Sequence, residues 1–417
     1  MQSEQLLSIT RSNKQFWLIL LVTSPLLLLP IGRSAELPIA IMAIWGIWIA
    51  VTRITVLVRL RQARHFTLLF LLIWLPIVFS YPDSVNPEQT LRVAASYLRF
   101  YFAGLFIVTT FTETRVPELS SKVISWFVLL LLFDALIQST FGRDIFGFPY
   151  AYGRVNGLFG EDLKLGIVLS LLSPFVLFLS SRRNLAIGVV VWCLLLVVIL
   201  LSGSRASWIM LAVSTAGYLY FQLRDKGKKA VPYVLLIAML FPVGSLSIYL
   251  GSDYAKQRIE TTMLIFEGNR SSVDYALSTR LPIWEAAIKM LEKHPLNGIG
   301  VRSFRDAYFD YVDSDDKYHE IGITPTHTHQ IFLEVGAETG LIGLASLLVF
   351  YFIIFRNLLK NRANNMASAP FAISLLVAIF PINTHLAIYS SFWGMILWLL
   401  IAYYSATMEP RQKQLEP

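Results

Sequence analysis

The chain has 417 residues, of which 55% are hydrophobic and 15% charged, and its formal net charge is +8. A soluble domain carries roughly 25% charged residues. This composition therefore excludes an ordinary soluble enzyme, a disordered protein and a disulfide scaffold. The positive charge does not indicate nucleic-acid binding, because the basic residues lie in loops between apolar segments, where membrane orientation places them.

Apolar windows of membrane-spanning length recur along the chain and predict an all-α polytopic membrane protein with about 12 transmembrane helices. A helix needs roughly 20 apolar residues to cross the hydrocarbon core. The turn Ser202-Gly203-Ser204 could instead be a break in one long helical hairpin. The predicted spans are residues 16–32, 37–52, 66–80, 91–111, 122–140, 165–180, 184–202, 206–222, 231–250, 331–355, 368–384 and 387–405.

The basic residues favour an orientation with both termini in the cytoplasm. The loops then predicted to be cytoplasmic are rich in Lys and Arg, whereas the short outer loops hold few, as the positive-inside rule requires. This topology divides the chain into transmembrane helices 1–9 over residues 1–250, a large outer loop over 251–330, and helices 10–12 with a cytoplasmic tail over 331–417.

The large outer loop contains a predicted amphipathic helix from Leu281 to Lys293. Apolar residues recur there at three-to-four-residue spacing and define one face. This helix could cover a lateral opening to the lipid as a lid, or it could be the packed face of a small outer subdomain. The predicted apolar face consists of Leu281, Trp284, Ile288 and Leu291.

Four polar residues outside the apolar windows fall on the outer side in this topology. Arg154 lies in a glycine-rich loop, Arg205 in a short turn between two spans, Arg280 before the amphipathic helix and His329 before the tenth span. Arginine presents planar, permanently charged donors that suit a diphosphate. A histidine beside them is the natural proton acceptor near neutral pH.

Each of these residues also has a purely structural interpretation. Arg205 could extend to lipid headgroups, Arg154 could stabilise its own loop, and Arg280 could pair with an acid such as Asp274. His329 could be an ordinary interfacial histidine, and the nearby His327 competes for the same chemical role.

The predicted tenth span carries two acidic residues and two glycines of interest. Glu334 and Glu338 could line a cavity, or they could simply favour the positive end of the helix dipole. Gly336 and Gly340 form a small-xxx-small pattern, which is most simply explained by helix packing.

The sequence does not predict a metal site. Oxygen and nitrogen ligands of suitable type are present, but their spacing fits no strong template, so the sequence predicts no metal and no cofactor. The potential ligands are Asp313, Asp315, Asp316, His319, His327 and His329.

Three stretches between about residues 150 and 345, taken in order, resemble motifs of the O-antigen ligase/polymerase (Wzy/WaaL) superfamily. Two departures from the usual pattern are Glu161-Asp162, where an Asn-containing stretch is common, and Gln330, where Asn usually follows the histidine. The spacing of the family motif favours His329 over His327. The stretches are Gly153–Gly160, Leu200–Ser207, and Arg280–Trp284 with Pro295–Gly300, continuing to His329–Glu334 and Glu338–Gly343.

The resemblance implies a metal-independent GT-C-type glycosyltransferase of the bacterial inner membrane with a periplasmic active site. Its donor would be a glycan on undecaprenyl diphosphate, and an O-antigen ligase would transfer that glycan to lipid A–core. A polymerase would use a second lipid-linked glycan as acceptor, and an O-oligosaccharyltransferase a protein hydroxyl. The resemblance assigns the base to His329 and donor binding to Arg205, Arg280 and Arg154, with His327, Glu334 and Glu338 as possible supporting residues.

A transporter of lipid-linked glycans is the alternative from a different class, because twelve helices with both ends inside is a common transporter layout. Against it, the polar cluster lies at one interface, and the sequence shows no pair of interrupted helices in matching halves.

Overall fold

The computed structural model describes residues 2–111, 116–251, 253–313, 316–360, 368–381 and 387–408. For residues 2–14, 245, 248, 254, 255 and 360 it describes the backbone alone. Within these ranges the fold is all-α, as predicted, and the only strand-like pairs are two isolated bridges, Arg143 with Pro149 and Ala151 with Arg154.

The helices follow one another closely in the chain, with short 3-10 turns between some of them. Their bounds are α1 (Gln2–Leu27), α2 (Glu36–Thr52), α3 (Ile54–Arg59), α4 (Arg61–Phe79), α5 (Pro87–Thr110), α6 (Val116–Phe141), α7 (Leu165–Arg183), α8 (Leu185–Leu201), α9 (Arg205–Lys226), α10 (Val231–Gly251), α11 (Asp253–Met263), α12 (Arg270–Ala276), α13 (Leu281–Lys293), α14 (Phe304–Ala307), α15 (Lys317–Glu320), α16 (Ile331–Lys360), α17 (Ala369–Ala378) and α18 (Ser391–Ala406).

Every predicted span overlaps one of these helices. Six helical stretches of the described chain, one of which joins α9 to α10, are long and apolar enough to cross a membrane, and five further apolar helices are shorter. This confirms an all-α polytopic membrane protein. The predicted span 368–384 is only partly described, because residues 382–386 lie outside the described ranges. The turn at Ser202–Ser204 separates α8 from α9, so these are two helices.

Hydroxyl groups join the central helices to one another. The Ser125 hydroxyl of α6 donates to the carbonyl of Phe175 in α7 (2.9 Å). The Ser170 hydroxyl of α7 donates to the carbonyl of Ser207 in α9 (2.8 Å). These serines are buried. In an apolar interior such bonds hold neighbouring helices in register, since their polar groups have no water to bind.

The helix α16 is broken at Gly340, whose backbone (φ 63°, ψ −160°) is not helical. The break exposes carbonyl and N–H groups that an intact helix would pair internally. The segment 295–300, which follows α13 and consists mainly of turns, satisfies them. Its hydrogen bonds run from Ile299 N to Ala337 O (3.0 Å), Gly300 N to Glu338 O (3.1 Å), Leu341 N to Pro295 O (2.8 Å) and Ile342 N to Leu296 O (3.1 Å).

The close contact between this segment and α16 explains why residue 340 is a glycine, and it corrects the predicted packing role of that residue. Gly340 does not act in the predicted small-xxx-small packing of a continuous helix: a Cβ there would lie 2.4 Å from the carbonyl carbon of Leu296. Only Gly336 packs as expected, with a Cβ position 3.3 Å from the side chain of Leu291 in α13.

The same segment is also attached to the connection between α4 and α5. Val85 N donates to Ile299 O (2.9 Å), the Thr90 hydroxyl donates to Val301 O (3.0 Å), and the Asn297 amide donates to Asp83 (2.6 Å). The chain after α13 is therefore held on two sides.

The predicted amphipathic helix is confirmed with its bounds, but its buried face differs from the prediction. Ile288 is 44% exposed, whereas Ala286, Ala287 and Met290 are fully buried. The buried face is rotated relative to the prediction because α13 packs against the first half of α16 and the short helix α14. Its apolar face thus packs within a small cluster of side chains outside the main core, which favours the subdomain interpretation over a lid.

Replacing Gly298 by Ala should destabilise the protein more than replacing Gly268. Both glycines have a positive φ (+70° and +74°), so both substitutions carry backbone strain of roughly 1–3 kcal/mol. Only at Gly298 would the new Cβ also collide with backbone atoms, 2.5 Å from Thr339 N, whereas nothing lies within 4 Å of Gly268. Thermal unfolding in detergent measures the difference, and equal melting temperatures for the two variants would contradict the role given to this contact.

Candidate functional site

Arg154 extends from a tight turn in the loop between α6 and α7. Arg154 N donates to Ala151 O (3.0 Å) and Ala151 N donates back to Arg154 O (3.3 Å). Tyr152 and Gly153 between them both have a positive φ, as two-residue hairpin turns of the primed type require. The loop is fixed to the helices by Val155 N on Leu201 O (3.3 Å) and by the N–H groups of Asn156 and Gly157 on the buried Gln138 amide oxygen (2.8 Å each).

Arg205 is the first residue of α9. The turn before it reverses the chain at Gly203 (φ 64°), and Ser204 then caps α9 by accepting a hydrogen bond from Ser207 N (3.4 Å). From this position the Arg205 guanidinium extends to α11, where it donates to the Thr262 hydroxyl (3.2 Å).

The turn between α12 and α13 is strained and is held by Arg205. Ser278 and Thr279 have consecutive φ values of 60° and 56°, a conformation that is costly for non-glycine residues and most costly for a β-branched one. The Arg205 guanidinium donates to the Ala276 carbonyl and the Ser278 hydroxyl. The Tyr318 hydroxyl donates to Thr279 O (2.9 Å). The surroundings therefore impose a backbone shape that these residues would not adopt alone, a feature common at binding sites.

Arg280 follows this turn directly and precedes the first residue of α13. Its side chain makes no hydrogen bond or ion pair with any described residue. Asp274, the acid that the structural interpretation paired with it, instead accepts a hydrogen bond from Leu281 N (2.9 Å) at the start of α13. Burial, and then repulsion from Arg205, lower the pKa of Arg280 to about 10, with Arg258 adding further repulsion. The guanidinium remains charged at neutral pH in a strongly positive environment.

An open cavity of about 290 Å³ is lined in part by Ser278 and Thr279 of the strained turn. Among its lining residues is Arg258 of α11. The sequence does not indicate Arg258 as a site residue, because no motif surrounds it and α11 was not predicted. No carboxylate is among the described residues that line the cavity. The lining residues are Arg154, Gln257, Arg258, Thr261, Tyr275, Ser278 and Thr279.

His329 lies just before α16 and also has a positive φ (57°). Its neighbour Thr328 is fully buried, and the Thr328 carbonyl accepts a hydrogen bond from the indole N–H of Trp284 (3.0 Å), one turn after Arg280 in α13. The rings of His327 and His329 are in contact, with their centroids 3.9 Å apart. The histidine segment is therefore tied to the same helix that starts with Arg280.

Glu334 and Glu338 are fully buried in the first half of α16 and do not line the described cavity. Glu334 accepts from the backbone N–H groups of Ile388 (3.2 Å) and Tyr389 (3.4 Å), and Glu338 accepts from Arg302 N (2.9 Å). Both carboxylates thus hold other segments against α16. This role differs from the two that the sequence suggested, which were lining a cavity and interacting with the helix dipole. Arg302 has a positive φ of 63°, so Glu338 holds a further strained position.

Gln330 is the residue at which this sequence departs from the family pattern, and its side chain caps the start of α16. Its amide oxygen accepts a hydrogen bond from Leu333 N (2.7 Å), which satisfies one of the free N–H groups of the first turn. The Thr328 hydroxyl donates to the Gln330 carbonyl (2.8 Å) and fixes the chain around His329.

Five of the six potential metal ligands are among the described residues, and the rings of His327 and His329 are in contact. Among the described residues no group of three His, Cys, Asp or Glu side chains is arranged to hold a metal ion. Asp316 caps α15 through the N–H groups of Tyr318 (2.9 Å) and His319 (3.0 Å), and the His319 ring packs on Phe309. Asp315 lies outside the described residues.

Comparison with known proteins agrees with the resemblance found in the motifs. A family model described as O-antigen ligase (Wzy_C) matches residues 189–348. The chain is 23% identical to the exopolysaccharide production protein ExoQ of Rhizobium meliloti (strain 1021) over 337 residues, which cover 78% of this chain and 72% of that protein. It is 21% identical to the O-antigen ligase of Escherichia coli (strain K12) over 269 residues, which cover 63% of this chain and 62%, less than two thirds, of that protein.

These matches support the predicted place of the chain in the O-antigen ligase/polymerase superfamily. Together with the apolar helices they indicate a multi-pass membrane protein related to enzymes of glycosyl transfer. The family implies, in general terms, a lipid-linked glycan and a lipid acceptor as substrates.

Replacing Arg280 by Gln should raise the stability of the protein while it impairs function. Because the folded state lowers the pKa of Arg280 to about 10, folding disfavours the charged form. The penalty is therefore fully present at pH 7 and fades as the pH rises from about 10 toward the unfolded value. Gln removes it, which should raise the free energy of unfolding by roughly 1–3 kcal/mol at pH 7. Thermal unfolding in detergent measures this change.

Arg270 provides the matched control for this measurement. Its side chain is 72% exposed and pairs with Glu285 (2.7 Å), so Arg270→Gln should change the stability by less than about 0.5 kcal/mol. A lower melting temperature for Arg280→Gln than for the unmodified protein would contradict the description of Arg280 as a destabilised charge.

Proposed function

We propose that the protein is an O-antigen ligase that transfers a glycan from undecaprenyl diphosphate to a hydroxyl group of lipid A–core oligosaccharide. The observation that supports this proposal most is the gathering of arginines around the strained turn at Ser278 and Thr279. Arg205 binds the turn, Arg280 follows it, and Arg154 lines the cavity beside it. Such a concentration of guanidinium groups suits a diphosphate.

In this proposal Arg205 and Arg280 bind the donor diphosphate, with Arg154 as a third contact from the cavity. Arg280 is the principal contact, since its guanidinium has no hydrogen-bond partner among the described residues and repels Arg205. As the diphosphate leaves, its negative charge grows, and donors already fixed in place stabilise that charge without reorganisation. The chemistry then needs no metal, because a diphosphate is already a competent leaving group.

His329 is the proposed general base. The acceptor hydroxyl oxygen forms a bond to the anomeric carbon while the bond from that carbon to the diphosphate oxygen breaks, and the diphosphate departs with the electron pair. His329 takes the hydroxyl proton, and the configuration at the anomeric carbon inverts. His327 contacts the His329 ring and is proposed to orient it, and Glu334 and Glu338 support the site by holding α16 in place.

The proposed site faces the periplasm of a bacterial inner membrane, and both termini are cytoplasmic. This orientation rests on the distribution of Lys and Arg among the loops. Both substrates would be anchored in lipid, so they would reach the arginines from the outer leaflet.

A polymerase of the same superfamily is the second candidate, favoured by the similarity to a relative named for exopolysaccharide production. Its acceptor would be a second lipid-linked glycan in place of lipid A–core. An O-oligosaccharyltransferase, which glycosylates a protein hydroxyl, would use the same donor and base.

Purified protein in detergent with EDTA should convert undecaprenyl-diphosphate-linked glycan and lipid A–core into ligated lipopolysaccharide. Longer glycans formed from the donor alone would identify a polymerase. A product that appears only when a divalent metal is added would contradict metal independence. No covalent product under any of these conditions would contradict the transferase assignment and favour a lipid-linked glycan transporter.

His329→Ala should lower the transfer rate by about 10²–10⁴-fold, which is the usual cost of losing a general base. Donor binding should remain nearly intact, because the diphosphate is bound by the arginines. Single-turnover rates and donor affinity, measured separately, distinguish the two effects. His319→Ala is the control, since His319 is exposed and lies in the same loop. Unchanged turnover in His329→Ala would refute its assignment as the base.

A further inference from the structure

Arg258 adds a positive charge that the proposed donor diphosphate does not require. Each phosphate of a diphosphate that links a lipid to a sugar carries a single negative charge. Arg205, Arg280 and Arg154 are the guanidinium groups proposed to bind that charge, and Arg258 is a fourth that lines the cavity. Arg258 also repels Arg280, which helps to lower the pKa of Arg280. A further anion would relieve this repulsion.

The helix α11 presents Arg258 to the cavity together with groups that suit a sugar. Thr261 lies one turn after both Gln257 (i+4) and Arg258 (i+3), and all three line the cavity. On an adjacent face Thr262 binds Arg205 (3.2 Å), so α11 connects the cavity to the diphosphate side of the strained turn.

The remaining lining residues are also typical of sugar recognition. The Gln257 amide can donate and accept hydrogen bonds, and the Ser278 hydroxyl, which accepts from Arg205, has its own proton to donate. The Thr279 hydroxyl already donates to the Ser278 carbonyl (2.8 Å). The exposed ring of Tyr275 offers an apolar face with a polar edge. Arg205 and Arg280 do not line this cavity. The cavity therefore adjoins the proposed diphosphate site and shares Arg154 with it.

We infer that this cavity binds a sugar that carries its own anionic group, a carboxylate or a phosphate, and that Arg258 recognises this anion. The inference rests on the proposed function and refines its substrate class. The anionic sugar belongs either to the donor glycan, near the diphosphate, or to the acceptor. In both cases Arg258 determines specificity and takes no part in the chemical step.

The test compares three defined substrate pairs with the purified full chain. The first pair is an undecaprenyl-diphosphate-linked disaccharide containing glucuronic acid with a neutral acceptor glycolipid. The second is the glucose counterpart of that donor with the same acceptor carrying a phosphate on its terminal sugar. The third pair is neutral on both sides. We expect kcat/KM to be about tenfold higher for one of the two anionic pairs than for the neutral pair, as one charge-assisted hydrogen bond provides.

Arg258→Gln should abolish this preference, so that the ratio of anionic to neutral kcat/KM falls to near one. Lys256→Gln is the matched control, because Lys256 is exposed on the same helix and does not line the cavity. The ratio in this variant should equal that of the unmodified protein. The anionic pair that carries the preference identifies whether the donor or the acceptor enters the cavity.

Failure of this inference can be distinguished from failure of the proposed function. Transfer at equal rates for all three pairs would overturn the anion subsite and leave the transferase assignment intact. Absence of transfer for every pair, with no ligated product from lipid A–core either, would instead overturn the transferase assignment. Thermal unfolding with methyl glucuronide or methyl glucoside then tests the subsite alone: stabilisation by the glucuronide that Arg258→Gln removes supports it, and equal melting temperatures overturn it.

Discussion

The insertion of the segment 295–300 into the break of α16 is the contact on which the proposed site depends. The segment and the broken helix satisfy each other's backbone groups through four hydrogen bonds, and glycines at 298 and 340 permit the close approach. Because this segment follows α13 directly, the contact fixes where α13 lies on α16. The first turn of α13 carries Trp284, which holds Thr328 beside His329, and Arg280 precedes it. One backbone arrangement thus positions both the principal arginine and the proposed base.

The site is assembled at a cost in free energy that the rest of the fold must offset. Ser278, Thr279 and His329 adopt left-handed backbone conformations, and Arg280 keeps its charge although burial and neighbouring arginines disfavour it. Strain and like charge persist only where the surroundings fix them. Here the surroundings are rigid, because buried serines join α6, α7 and α9 within the apolar core and Arg205 extends from the start of α9. A transmembrane scaffold can therefore hold a positively charged pocket ready for an anionic substrate.

The stretches that carry the family resemblance have two different physical roles. Arg154, Arg205, Arg280 and His329 are positioned for chemistry by turns and helix ends. Gly298, Gly300, Glu338 and Gly340 instead form the contact between the segment after α13 and α16. Close approaches explain these glycines: a Cβ at Gly298 or Gly340 would meet backbone atoms across that contact, and a Cβ at Gly300 would meet Ser84, which precedes α5. The motif residues thus include those that pack the segment 295–300 against α16 as well as those proposed to take part in the chemistry.

The sequence by itself determined the transmembrane helices, the bounds of α13 and the identity of the arginines and histidines, because hydrophobic length, helical periodicity and helix-ending residues are local properties. It did not determine the break at Gly340, which depends on hydrogen bonds to residues some 40 positions earlier in the chain. It also placed Ile288 on the wrong face of α13, since periodicity shows that a helix has an apolar face but the neighbours α14 and α16 decide which residues are covered. Arg258 was missed because a single arginine in a polar stretch has no local signal. Only the tertiary structure brings it to the same cavity as Arg154, because the turn between α12 and α13 closes the space between their segments.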